Sequence, residues 1–259
     1  MGVTFAPFKV DACCLCGAAD DLTGEHKIKA SALRAEFGGA NMLIGRFGEA
    51  DAPMRLARGP KSKALHFAAR LCGACNSART QPADLEFDRF IELASKRQAR
   101  GEDPADVFLA DRYASGSVPY LNVFRYFAKL MCCHMADIGA PRRLHMARFA
   151  MGLTDRNCIW LKVDEDWNYS QLSESFGIDQ YASHGGLVIY ASKKTQAANA
   201  IHSTLTVGRL RCAFHSRFTW VEQLELRLSH RAFFDRCRQA AVEALADPVN
   251  EAERLALGL

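Results

Sequence analysis

Two cysteine pairs of the form Cys-x-x-Cys, Cys13 with Cys16 and Cys72 with Cys75, bracket the octapeptide GEHKIKAS at positions 24–31. A tight turn in each pair aims two thiolates at one ion, and four thiolates suit zinc, which imposes no geometry of its own and favours sulfur. The 55 residues between Cys16 and Cys72 exceed the roughly 15 to 20 of a common zinc ribbon. Loop-closure entropy grows only logarithmically, so a loop about three times longer costs about 1 kcal/mol more. Structural zinc supplies on the order of 10 kcal/mol. The sequence therefore predicts one zinc site built from Cys13, Cys16, Cys72 and Cys75; Cys14 would need the rarer Cys-x-Cys geometry. Between the pairs, Glu25 offers a hard oxygen ligand and His26 an imidazole that titrates near neutral pH.

These residues need a frame. The chain has 259 residues, 49% hydrophobic and 24% charged, the balance of a globular protein with one or two cores. LHFAARL at 65–71 reads as a short strand that delivers the chain to the second cysteine pair. Phe87, Phe90, Ile91 and Ala94 follow at helical spacing, with Thr80 and Pro82 suited to the helix start. Residues 42–63 carry Gly, Pro and basic residues without periodicity and read as an insertion or long loop. The turn-rich QARGEDPADV at 98–107 marks the expected boundary between an N-terminal domain, 1–104, and a C-terminal domain, 105–259. In the second region Leu121, Phe124, Ala128, Met131 and Met135 predict a largely buried helix. Pro141 opens a short one. CIWLKV, GLVIYA, AIHSTLTV, RLRCAFHS and FTWVEQLELRL predict an antiparallel sheet, and Phe234, Cys237, Ala241 and Leu245 a last helix. Trp160, Trp167 and Trp220 are expected in or beside the core, and Cys132 and Cys133 as core thiols.

Cys13-x-x-Cys16, then LTGEHKI from Leu22, then Leu71-Cys72-x-x-Cys75-Asn76 and Arg79-Thr80-Gln81-Pro82-x-Asp84 together resemble the HNH endonuclease family over about residues 10–95. The resemblance implies a zinc-stapled, treble-clef-like ββα-metal domain; with the helices and antiparallel sheet read beyond residue 105, the expected fold class is α+β. The resemblance also implies roles. His26 would be the general base for a water attacking the scissile phosphorus. Glu25 and Asn76 would hold a catalytic Mg²⁺ or Mn²⁺, hard ligands for a hard ion, and the zinc would be structural. Many members have proline where this chain has Lys29, and most have an asparagine near the stretch Ala64–Ala68. His66 lies there, as a metal ligand, a support for a water, or an ordinary strand residue.

The activity implied is metal-dependent hydrolysis of phosphodiester bonds in DNA, with RNA left open. From Lys27 to Arg70 nine Lys or Arg stand against three acids, Glu36, Glu49 and Asp51. Of the basic residues near the site, Lys27, Lys29, Arg34 and Arg79 are the candidates for phosphate contacts, which supply salt-dependent affinity and little sequence information. The alternative is a non-catalytic, zinc-stabilised nucleic-acid-binding or protein-interaction module with a degenerate HNH site. Residues 105–259 are expected to serve targeting or regulation, through a protein partner or self-association. No stretch approaches the roughly 18 apolar residues of a membrane helix, and the first residues lack signal-peptide features. The expectation is a cytoplasmic protein without a membrane partner.

Overall fold

The computed structural model describes residues 3–45, 54–60, 62–177, 179–191 and 198–245. A short strand β1 (Phe5–Ala6) leads into the first cysteine pair, followed by β2 (Leu22–His26) and helix α1 (Ala30–Phe37). Two small strands, β3 (Met42–Ile44) and β4 (Arg55–Ala57), precede β5 (His66–Cys72). The second cysteine pair turns directly into α2 (Gln81–Ala99), which buries Phe87, Phe90, Ile91 and Ala94 as their spacing predicts. In α3 (Val118–Asp137) every residue from Leu121 to Met135 is buried, including Arg125 and Lys129. A buried charge is tolerated only when paired. Arg125 reaches Asp155 at 2.5 Å, and Lys129 belongs to the site described below.

The chain continues through β6 (Arg142–Arg143), α4 (Leu144–Ala150), β7 (Trp160–Glu165) and α5 (Trp167–Phe176). Then come β8 (Tyr181–His184), β9 (Val188–Ala191), β10 (Ala198–Val207), β11 (Leu210–Arg217), α6 (Trp220–Ser229) and α7 (Arg231–Leu245). The main sheet has seven strands in the order β4-β3-β8-β10-β11-β7, with β9 paired to β10. All pairs are antiparallel except β3 with β8. One face packs on α3, where Phe127 meets Phe214 at 5.0 Å between ring centroids. A separate two-stranded ribbon, β2 with β5, carries the cysteine site.

The boundary expected near residue 104 does not separate two cores. Strands β3 and β4, from the stretch expected to be an insertion, join the sheet built from residues beyond 160, and β1 pairs with β6. Helices α2 and α3 are locked by Phe87 stacked on Tyr126 at 3.7 Å. FTWVEQLELRL forms a helix rather than a strand. Thr219 and Glu222 close a reciprocal capping box at its start, two bonds that satisfy otherwise orphaned backbone N–H groups. Trp160, Trp167 and Trp220 are exposed, not core. Cys132 and Cys133 are buried thiols as expected, and His202 lies opposite His215 across β10 and β11. Arg46, Glu49, Asp51 and Lys61 of the basic stretch lie outside the described residues. Among the described residues no helix is long and apolar enough to cross a membrane.

Candidate metal centre and the histidine ribbon

Glycine shapes both cysteine turns. Gly17 follows Cys16 with φ +84°, a conformation that L side chains rarely adopt, and an added Cβ would strike the Arg142 guanidinium. The Gly17 amide donates to Cys13 O at 2.8 Å and the Cys13 amide to Ala18 O at 2.7 Å, which closes the first knuckle. In the second turn Gly73 donates its N–H to Asp21 O at 2.9 Å, and a Cβ there would collide with the Asp21 carboxylate. The knuckle is sewn to the ribbon by the Cys14 amide, which donates to Arg70 O at 3.0 Å.

The result is one cluster: the sulfurs of Cys13, Cys16, Cys72 and Cys75 lie within 4.8 Å of one another. It is the sole grouping of three or more His, Cys, Asp or Glu ligand atoms at such spacing among the described residues. All ten cysteines are free thiols, and Cys14 instead points to Cys133, with the sulfurs 3.7 Å apart. Burial pushes the Cys72 and Cys75 thiols up. Burial acts in the same sense on Cys16, but hydrogen bonds from its surroundings outweigh it and bring that thiol down to about 7. Four crowded thiols ionise together only around a cation, so the donor set fits a thiophilic metal ion such as zinc. Arg79 donates to the Cys75 sulfur at 3.4 Å, and Thr80 Oγ1 to Cys75 O at 2.9 Å, fixing the last ligand at the entry to α2.

The cluster anchors the ends of β2 and β5, whose register places Leu22 opposite Cys72 and His26 opposite His66. An irregularity between Gly24 and His26 resets the alternation of side chains that a regular strand would show. The two imidazoles meet with centroids 4.0 Å apart and planes at 43°. Burial, then the charges of His66, Arg34 and Lys129, lower His26 to about 4, so it is neutral at pH 7. Its Nε2 is buried without a hydrogen-bond partner among the described residues. Asn76 braces the ribbon: its amide donates to Thr23 Oγ1 at 2.9 Å and to Gly24 O at 3.1 Å. That leaves its own oxygen as an acceptor.

Comparison with protein-family models, curated proteins and solved structures returns no match to this chain.

Glu25 is placed differently from His26. Its side chain turns into the interior, where Lys129 Nζ lies 3.2 Å from Oε1, and burial raises its pKa despite that lysine. Lys129 also contacts Asp84 Oδ1 at 2.5 Å. Burial acts to discharge the ammonium, but the two carboxylates prevail and raise its pKa. A Mg²⁺ or Mn²⁺ held by Glu25 and Asn76 therefore does not fit the residues as they stand, because one of the two donors is already neutralised by an ammonium.

The four expected phosphate-contacting residues divide. Arg34 and Arg79 are exposed, although Arg79 also serves Cys75. Lys27 leans on the Phe67 ring at 5.9 Å. Lys29 is committed to α2, donating to Asp84 O and pairing with Asp88 at 2.7 Å. This clamp orients the entry to α1. A cavity of about 390 Å³ lies behind the knuckle, lined by Phe8, Cys14, Ala69, Cys132, Met135 and Arg142 among others; His26, His66 and Asn76 do not line it. Asp84 was expected only as part of the helix-start motif, and Lys129 was not among the expected site residues. The available signal was a lone lysine in FRYFAKLMCC, since a cation in the middle of an apolar helical stripe demands a buried partner.

Proposed function

We propose that the chain is an endonuclease of the HNH type that hydrolyses phosphodiester bonds in DNA, with a structural zinc in the four-cysteine cluster. One observation carries the reading: the cluster gathers the cysteine knuckle, the β2–β5 ribbon and the start of α2 at one point, and His26 faces His66 on the ribbon that Asn76 braces at Thr23 and Gly24. The zinc would be held by Cys13, Cys16, Cys72 and Cys75, and its contribution is to fix strand and helix so that short side chains converge.

In this reading neutral His26 accepts a proton from the attacking water as the new P–O bond forms and the bond to the leaving 3′ oxygen breaks. A base must be unprotonated to do so, and the half-buried imidazole is. His66 supports the ring of His26 across the ribbon. Asn76 holds the β2 backbone at Gly24, and Arg34 and Arg79 supply exposed positive charge for phosphates on either side. Residues 105–259 contribute α3 to the site's rear wall, and their part in targeting is through a protein partner or self-association.

The alternative, a non-catalytic zinc-stabilised module that binds nucleic acid or a protein, is favoured by the Glu25–Lys129 pair, which occupies a carboxylate the catalytic ion would need. Supercoiled plasmid incubated with zinc-loaded protein and Mg²⁺, Mn²⁺ or EDTA separates the two. Nicking that needs the divalent ion and is lost in His26→Ala, with the zinc retained, is the result expected of the nuclease. Salt-sensitive DNA binding without nicking by both proteins, and by a folded Lys129→Met chain in which Glu25 is released from its ammonium, would establish the module instead.

A further inference from the structure

The Lys129 ammonium stands in the interior with carboxylates on two sides. Glu25 comes from the ribbon and Asp84 from the first turn of α2, while the lysine comes from α3, which is buried around this position. Asp84 is itself held by Thr80, whose hydroxyl lies 3.3 Å from Oδ2. Tyr126 closes another side, with its ring centroid 5.3 Å from Nζ. Next to this group Lys29 pairs with Asp88, which also accepts from Ser31 at 2.8 Å. Three carboxyl groups thus face two ammonium groups.

We propose that Glu25 and Asp84 form a two-carboxylate cation site whose resident cation is the Lys129 ammonium, so that α3 and a divalent ion compete for Glu25. The inference rests on the reading that Glu25 is the carboxylate beside the HNH base, and it describes regulation of that same site. A buried ammonium leaves such a pair only when another cation replaces it or the carboxylates take up protons, because bare carboxylates in the interior carry a large desolvation cost. Lys129 therefore acts as a latch. With the latch closed, β2 is held against α2 and α3 and Glu25 is withheld from the His26 face. Displacing it requires α3 to shift, which makes metal loading dependent on whatever engages residues 105–259.

The test uses Mn²⁺ alone as the probe, on full-length zinc-loaded chains, with free Mn²⁺ read by electron paramagnetic resonance. Wild type and Glu25→Gln are expected to bind Mn²⁺ equally weakly. Lys129→Met, if it retains its zinc and its circular dichroism spectrum, is expected to bind one Mn²⁺ at least tenfold more tightly than wild type, and adding Glu25→Gln is expected to abolish the gain. Tight Mn²⁺ binding by wild type that Glu25→Gln removes overturns the proposal, and so does a folded Lys129→Met chain that binds no better than wild type. Should Lys129→Met fail to fold, Lys129→Gln, which keeps a polar group between the two carboxylates, takes its place with the same expected and refuting outcomes. Plasmid nicking measured on the same samples keeps the two ideas apart: a Glu25-dependent gain in Mn²⁺ binding without nicking sustains the latch and defeats the nuclease reading.

Discussion

Removing the zinc should destabilise the whole chain and not merely loosen a loop. The ion contributes on the order of 10 kcal/mol, while a typical domain has a net stability of only about 5–15 kcal/mol. A lower bound comes from charging the closure of the loop between Cys16 and Cys72 wholly against the ion. For 55 residues that is roughly 3.5 kcal/mol, taking (3/2)RT ln n, and about 6 kcal/mol is left. At about 2–4 °C per kcal/mol for a chain of this size, Tm should fall by roughly 12–24 °C. The loss should not stay local, because the cluster ties β2 and β5 to α2, and α2 is locked to α3 through Phe87 and Tyr126. The assay is metal analysis of the purified protein followed by thermal melts monitored by circular dichroism, before and after a strong zinc chelator. One zinc per chain and a single lowered transition are expected. A metal-free protein as purified, or a Tm that moves by less than about 3 °C after proven removal, would refute the reasoning.

Two further outcomes follow from buried charge. Arg143 donates to both Glu222 oxygens, at 2.5 and 2.8 Å, and to Ser216 Oγ and Arg217 O; Arg143→Met should cost about 3–5 kcal/mol by orphaning Glu222, measured by denaturant unfolding, and Glu222→Leu in that background should restore part of it. Burial alone would raise the Glu222 pKa, but Arg143 outweighs it and holds the carboxyl below its ordinary value. The pair's stabilisation is therefore full above the unfolded carboxyl pKa and is lost as pH falls through the lower folded value, so the acid limb of the stability curve should flatten in the double variant. In the nuclease reading, with His26 lowered to about 4, nicking should be level from pH 8 to 6 and decline as pH approaches 4. A rate falling with a midpoint near 6.5 would show that His26 keeps its ordinary basicity.

The sequence by itself determined the pieces whose signals are local. The spacing within each cysteine pair predicted two sulfur knuckles, LHFAARL its strand, and the apolar periodicities α2, α3 and α7, because each depends on residues a few positions apart; that the two knuckles share one ion followed from the donor chemistry and the low cost of a long loop. The start of α6 was equally legible: Thr219 and Glu222 have the spacing of a capping box, a signal outweighed by the aromatic and β-branched content of FTWVEQLELRL. Tertiary structure decided the rest. No local pattern says that β3 and β4 join strands more than a hundred residues further on, or that β1 finds β6. The dipeptide Glu25-His26 names two useful side chains, but their directions depend on the irregular register against β5 and on a lysine from α3. That lysine could be drawn into the interior only where two carboxylates from separate elements converge, and their convergence is a property of packing, not of spacing along the chain.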